Sequence, residues 1–324
     1  MNKKWLIAGG AALFGILAAD AVMIAEGAFS LASRRKSRLF DLTQKEQDVL
    51  TAPPPEMAQQ VADSMTALRD TPMETVYTKS HDGLTLVGHW YPAENPKRTV
   101  IMFHGWRSAW YHDFGFSADF MHDSGCNLLY IEQRSHGGSE GEFISYGILE
   151  RYDAQAWVDF AVGRNTDDLP IYLCGISMGA TTVLMAADLP LKNVVKGIIA
   201  DCGFTSGEEI IKVIIDQNVH LLPKSLVYKY TDRACKRHTG FSYGDYSTVD
   251  ALKNCHIPVL FIHGENDGFV PVSMTYENYD ACAGEKDILV VPGALHGTSY
   301  AVDMEAYQNK VLTFFDKHDG NTEE

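Results

Sequence analysis

From Glu74 to Phe315 the chain alternates compact apolar runs with longer amphipathic ones. Thr99–Phe103, Asn127–Ile131, Ile171–Cys174, Val194–Ala200, Ile257–His263 and Asp287–Val291 are short runs of strand-forming apolar residues. Gly, Pro or Asp flanks most of them, so they read as buried strands. Glu74–Ser80 and Thr85–Tyr91 are joined by Asp82-Gly83, a hairpin signal. Ile148–Val162, Met178–Ala187 and Asp303–Phe315 read as helices. Strands alternating with helices predict an α/β fold, a mostly parallel central sheet with helices on both faces. The pattern lapses between Asp201 and Asn254, where the chain turns helical, polar and aromatic. An insertion at this point is expected above the strand ends, as a short helical lid over about 203–250. Its aromatics (Phe204, Tyr228, Tyr230, Phe241, Tyr243 and Tyr246) then either face an apolar group or pack the lid itself.

The first forty residues follow another pattern. Lys3 and Lys4 precede an uncharged run from Trp5 to Ala19, and Asp20 and Glu26 interrupt a further apolar stretch reaching Ser33. Arg34, Arg35, Lys36 and Arg38 follow. From Trp5 to Phe29 the chain has the length of a membrane span, about 20 residues. Residues 1–40 are therefore expected to be an N-terminal membrane anchor, or an amphipathic helix lying on the domain or on a lipid surface. The small-x-small triplet Ala19-Asp20-Ala21 also fits a cleaved signal segment and secretion. Basic residues on both sides leave the membrane side open. Residues 41–72 read as a connector: Pro53-Pro54-Pro55, then a helix over Glu56–Arg69 with Met57, Val61, Met65 and Leu68 on one stripe. The catalytic domain is expected over 73–318, and 319–324 is a polar tail.

Charge removes one class of function. Against 27 Lys+Arg stand 42 Asp+Glu, a formal net charge of -15, opposite to what binding a phosphate backbone needs. The six cysteines form no C-x-x-C pair and several sit in apolar runs, as buried free thiols would. No G-x-x-x-x-G-K-[ST] phosphate loop occurs.

The pattern G-x-S-x-G occurs three times, centred on Ser139, Ser177 and Ser242. A serine nucleophile in this setting needs a strand, a sharp turn and then a helix, which lift the hydroxyl above the sheet. Only Ser177 has a predicted strand before it and a helix after it. Ser139 lies in a glycine-rich loop and Ser242 in the expected lid. A serine hydroxyl needs a base to take its proton and an acid to orient that base. His296 follows the last strand and is the candidate base. Asp267 follows the preceding one and is the candidate acid, with Asp201 at the end of Val194–Ala200 as its rival. Glu265 reads as solvated, His104 and His263 as packing or turn residues, and His318 as part of a charged tail. The N–H groups of Met178 and Trp106 are the candidate oxyanion donors: one opens the helix after the serine, the other lies in the loop after Thr99–Phe103.

These pieces together resemble the α/β-hydrolase superfamily. They are H-G-W-R-S at 104–108, E-Q-R-S-H-G-G-S-E-G at 132–141, G-I-S-M-G at 175–179, A-D-C-G-F-T-S at 200–206, H-G-E-N-D-G-F-V-P at 263–271 and G-A-L-H-G at 293–297. More narrowly, the chain is similar to bacterial hydrolases of the serine aminopeptidase (S33) and esterase-like group, over about residues 74–316. The resemblance implies no cofactor and no metal, structural rather than catalytic roles for Arg134 and His136, and an N-terminal anchor. The expected function is hydrolysis of a carboxylic ester or related acyl bond of a small molecule through an acyl-enzyme at Ser177. Aminopeptidase or acyltransferase chemistry by the same triad, and a non-catalytic binding protein on the same fold, are the alternatives. Expected partners are the acyl substrate and, through the N-terminal segment, a membrane. Natural substrate and number of subunits stay open.

Overall fold

The computed structural model describes residues 23–37, 52–165, 168–191, 193–220 and 222–320. Eight strands form one sheet: β1 Glu74–Lys79, β2 Thr85–Tyr91, β3 Arg98–Phe103, β4 Cys126–Glu132, β5 Ile171–Ile176, β6 Val195–Asp201, β7 Val259–Gly264 and β8 Lys286–Val291. Their order is β1-β2-β4-β3-β5-β6-β7-β8. β1 and β2 pair antiparallel, and β2 joins β4 antiparallel. From β4 onward every neighbour is parallel.

The described helices are α1 (23–33), α2 Ala58–Asp70, α3 Trp110–Phe114, α4 Ala118–Asp123, α5 Glu150–Arg164, α6 Met178–Met185, α7 Gly207–Asn218, α8 Lys224–Thr239, α9 Thr248–Leu252, α10 Val272–Ala281, α11 Ser299–Val302 and α12 Met304–His318. A single 3-10 turn, Gly115–Ser117, joins α3 to α4.

The period of two along a strand divides the core into two layers. On β3, Ile101 and Phe103 join Trp157, Val183 and Phe261 on one face. Val100 and Met102 join Tyr130, Phe114 and Phe315 on the other. Both faces of β3 are buried throughout, so the central strands read as unbroken apolar runs. Truncating a fully buried aromatic such as Trp157 to alanine costs about 3–5 kcal/mol. At the start of β3 the buried Arg98 binds Asp319, just beyond α12, through Nε at 2.9 Å. All six cysteines are free and buried.

Two sequence expectations change here. Residues 23–37 pack on the catalytic domain, as a helix lying on the domain would, instead of leading away from it as an anchor. Phe29 is fully buried with Ala32, Tyr243 and Phe204 in a third apolar cluster, and Glu26 pairs with His238 at 2.9 Å and with Arg237. A span running from Trp5 to Phe29 therefore loses its last turns to protein packing. Among the described residues no helix is long and apolar enough to cross a membrane. The apolar run Trp5–Ala19 itself lies outside them. The other change concerns the segment 203–250. Phe204, Phe241 and Tyr243 are buried against α1 and Tyr146, so these aromatics pack the protein. The site below is roofed by other residues.

Candidate active site

β5 ends at Ile176 and α6 starts at Met178, leaving Ser177 alone in the turn with φ 55° and ψ −117°. A non-glycine residue in that region is strained and is held there only by its surroundings. The surroundings are glycines. A Cβ on Gly179 would stand 1.8 Å from Phe103 O, and one on Gly175 would stand 2.3 Å from the Gly179 carbonyl carbon. Helix and strand close on each other only because neither position has a side chain. The other two matches differ. Ser139 is fully buried, donates to Glu132 O at 2.5 Å and accepts from Val87 N–H at 2.8 Å. It clasps β2 to β4. Ser242 sits in a turn whose N–H is taken by Asp245.

Three predicted residues meet at the ends of β5, β7 and β8. His296 Nε2 stands 3.0 Å from Ser177 Oγ, and His296 Nδ1 stands 2.7 Å from Asp267 Oδ2. The other Asp267 oxygen accepts the N–H groups of Phe269 at 2.9 Å and Val270 at 2.8 Å. Burial alone would push the Asp267 carboxyl up. The charge of His296, hydrogen bonds from His263 and His296, and the charge of His263 outweigh it and hold the group below the usual carboxylate range.

His263 belongs to this network, although its sequence position suggested packing. Its ring is fully buried, with Nε2 3.1 Å from Asp267 Oδ2 and 2.9 Å from Val270 O. Nδ1 lies 2.6 Å from Thr275 Oγ1. With two acceptors facing Nε2, the proton sits there and Nδ1 accepts from the threonine. The i, i+4 spacing His263/Asp267 across a strand end was the available signal.

The rival acid, Asp201, is also close by. It is buried at the end of β6, with Ser299 Oγ 3.5 Å away. Burial raises its pKa to about 6, against the opposing effects of His263, His296 and Tyr307. Its carboxylate makes no described hydrogen bond to His296. Glu265 is exposed, as expected.

The loop after β3 passes directly over the nucleophile: a Cβ on Gly105 would lie 3.3 Å from Ser177 Cβ. Asp113, which sequence reasoning missed, takes the Gly105 N–H at 2.6 Å and the Ser108 hydroxyl. Burial pushes its carboxyl up, but His112, Ser108 and the Gly105 N–H bring it below its ordinary value. His136 Nε2 accepts the Arg107 N–H at 3.0 Å while Nδ1 faces Arg134 O at 2.9 Å. His104 similarly accepts the Gln133 N–H at 3.1 Å. Each ring thus offers one bare nitrogen to a backbone donor and is held neutral. Burial lowers the His136 pKa to about 3. Arg134 forks onto Asp153 at 2.6 Å and onto Asp82. His136 thus supports the 104–108 loop, while Arg134 ties Asp82 of the β1–β2 hairpin to Asp153 of α5.

Ser177, His296 and Asp201 lie on a cavity of about 670 Å³. Its apolar wall comes from Val61 and Met65 of α2, Phe116, Ile176, Phe269 and Tyr300. No lining residue comes from 203–250, so the connector helix forms the roof where a lid was expected. Among the described residues, two groups of side chains lie close enough to hold an ion: Cys202 with Asp267 and His296, and His81 with Asp82 and Asp153. In the second, Arg134 already supplies the cation. In the first, Asp267 and His296 are engaged with each other, and burial keeps the Cys202 thiol protonated, well above its ordinary range.

The sheet order and the sharp strand–turn–helix at Ser177 give the chain the α/β-hydrolase fold. Residues 94–234 match the family model "Serine aminopeptidase, S33". The chain is 27% identical to the protein YqkD of Bacillus subtilis (strain 168) over 241 residues, 74% of this chain and 78% of the relative. It is 26% identical over 255 residues to the alpha/beta hydrolase domain-containing protein WAV2 of Arabidopsis thaliana, 76% of this chain and 79% of that one. Among solved structures, the Pyrococcus furiosus esterase Pf2001 superposes with a TM-score of 0.63 at 20% identity, over 84% of this chain and 99% of its own. That likeness carries the fold. The family relationships support a hydrolase.

Proposed function

We propose that this protein is a serine hydrolase that cleaves carboxylic ester or related acyl bonds through an acyl-enzyme at Ser177. The observation that carries the proposal is the continuous relay Asp267–His296–Ser177, at 2.7 and 3.0 Å, opening onto a cavity of about 670 Å³. In this reading His296 Nε2 takes the Ser177 proton as Oγ attacks the substrate carbonyl. The developing oxyanion meets the N–H groups of Met178 and Trp106. Met178 opens α6, where N–H groups lack intrahelical acceptors and the helix dipole favours negative charge. His296 then protonates the leaving alcohol, and water repeats the sequence to free the acid. Asp267 keeps the proton on Nδ1 and balances the imidazolium. The apolar wall of Val61, Met65, Phe116 and Tyr300 suits an apolar acyl or alcohol group.

Aminopeptidase or acyl-transfer chemistry by the same residues is the second reading, favoured by the S33 match. Turnover of aminoacyl anilides over acyl esters of graded length would select it. The first test is labelling by a fluorophosphonate probe. Wild type, Ser139→Ala and Ser242→Ala should label and Ser177→Ala should not, whereas labelling that survives Ser177→Ala overturns the assignment.

A further inference from the structure

The loop over Ser177 is tethered from three sides. Asp113 and His136 hold its backbone from within the domain. The third tether is the N-terminal segment, far away in sequence. Arg107, itself in the left-handed region at φ 52°, extends its guanidinium to the carbonyls that end α1. Nη2 reaches Leu31 O at 3.0 Å, Ser30 O at 3.4 Å and Arg34 O, and Nη1 reaches Arg35 O at 3.3 Å. They belong to the last turn of α1 and the residues just after it, where a helix end leaves carbonyls short of intrahelical donors and the helix dipole favours a cation. The neighbouring Trp106 donates its indole N–H to Ala32 O at 2.8 Å. The segment is fastened independently of the loop as well. Tyr146 Oη binds Ala32 O at 2.8 Å, Ile144 N–H binds Ser33 O at 2.7 Å, and Arg35 binds Ser139 O and Gly137 O, each at 2.5 Å. A fixed body is therefore clamped to the side chain of Trp106, whose N–H is the expected oxyanion donor, and to that of the adjacent Arg107.

We infer that residues 23–37 are a working part of the active site: docked on Trp106 and Arg107, they position the loop N–H that receives the oxyanion, so formation of the acyl-enzyme depends on their docking. The inference rests on the reading of Ser177 and of the 104–108 loop given above. Arg107 acts here as a positioning residue, because its side chain points to the helix and its backbone belongs to the loop. Displacing a preformed donor weakens binding of the transition state more than binding of the ground state.

The test compares full-length wild type with Arg107→Ala, Arg107→Lys, Trp106→Phe and Arg98→Ala, measuring kcat, KM, inhibition by an alkyl boronic acid (a tetrahedral mimic) and Tm. Arg107→Ala should lower kcat by roughly tenfold or more with KM within about twofold, and weaken the boronate by the same factor as kcat. Arg107→Lys should recover part of the loss. Trp106→Phe, which removes only the indole donor, should give a smaller loss of the same kind and keeps the test decisive if Arg107→Ala does not fold. Arg98→Ala disrupts a buried ion pair at the other end of β3 and should lower Tm with kcat kept. If the Arg107 and Trp106 variants lose only Tm, as Arg98→Ala does, the inference is overturned while the Ser177 reading stands. A wild type that reacts with neither fluorophosphonate nor boronate overturns both.

Discussion

Asp201 and Asp267 stand at the ends of adjacent parallel strands, both buried and both near His296, yet their surroundings push them in opposite directions. Asp267 receives two backbone N–H groups and faces two imidazoles, and its carboxylate is stabilised. Asp201 has a distant serine hydroxyl and a tyrosine, and burial raises its pKa to about 6. What separates a candidate catalytic acid from a spectator is therefore the number of donors aimed at it, set by position: Asp267 lies three residues beyond the end of β7, whereas Asp201 is the last residue of β6. Phe269 and Val270 bend back onto Asp267, whereas β6 runs into Asp201 without a comparable turn.

Exchanging each for asparagine breaks the comparison most sharply. Asp267→Asn should lower kcat for an acyl ester by about 10³–10⁴, since the imidazole loses its tautomer and its counter-charge. Asp201→Asn should change kcat by less than about threefold. Comparable losses in steady-state kinetics would mean that the two acids share the role.

Stability should separate them next, with opposite pH dependence. Asp201 has a raised folded pKa, so its contribution is fully present below the unfolded value of 3.8 and is lost as pH rises through about 6. The shift corresponds to about 3 kcal/mol at pH 8. Asp201→Asn should thus raise Tm by several degrees at pH 8, with the gain shrinking from pH 6 to 4. Asp267 has a depressed folded pKa; its contribution is present above 3.8 and is lost as pH falls through the folded value. Asp267→Asn should lower Tm at pH 8, and the deficit should fade only below about pH 4. Melting curves that move the same way for both variants would remove the electrostatic contrast.

The smallest effect concerns the roof. Met65→Trp fills the cavity from α2 and should raise KM for long acyl chains by about tenfold while sparing acetyl esters. Leu226→Trp, on the exposed face of α8 in the expected lid, should leave the chain-length profile unchanged. A changed profile for Leu226→Trp alone would restore the lid to 203–250.

How much was legible follows from range. The strands were legible because each is a local apolar run, and Ser177 because its motif carries its own strand and helix. Asp267 and His296 were legible from element order. The helices Trp110–Phe114 and Ala118–Asp123 were not, being too short for a 3.6 period to register and split by a 3-10 turn. Asp113 was missed with them. The docking of α1, one of three readings of its segment, and the roof role of α2 could not be singled out, because their apolar stripes state only that a partner exists. Val61 and Met65 fit a connector packed anywhere, and Phe29 fits a lipid tail as well as it fits Tyr243.

The ion pair between Arg98 and Asp319 has a consequence for synthesis. The two residues are 221 positions apart, and Arg98 opens the strand at the middle of the sheet. A ribosome adding residues at about 5–20 per second holds a chain in which this cation has no carboxylate for some ten seconds or longer. The central strands can pair in that interval, but they do so around an uncompensated guanidinium until α12 has been made. Closing this ion pair is thus a late step, taken only once the helix Met304–His318 has been made.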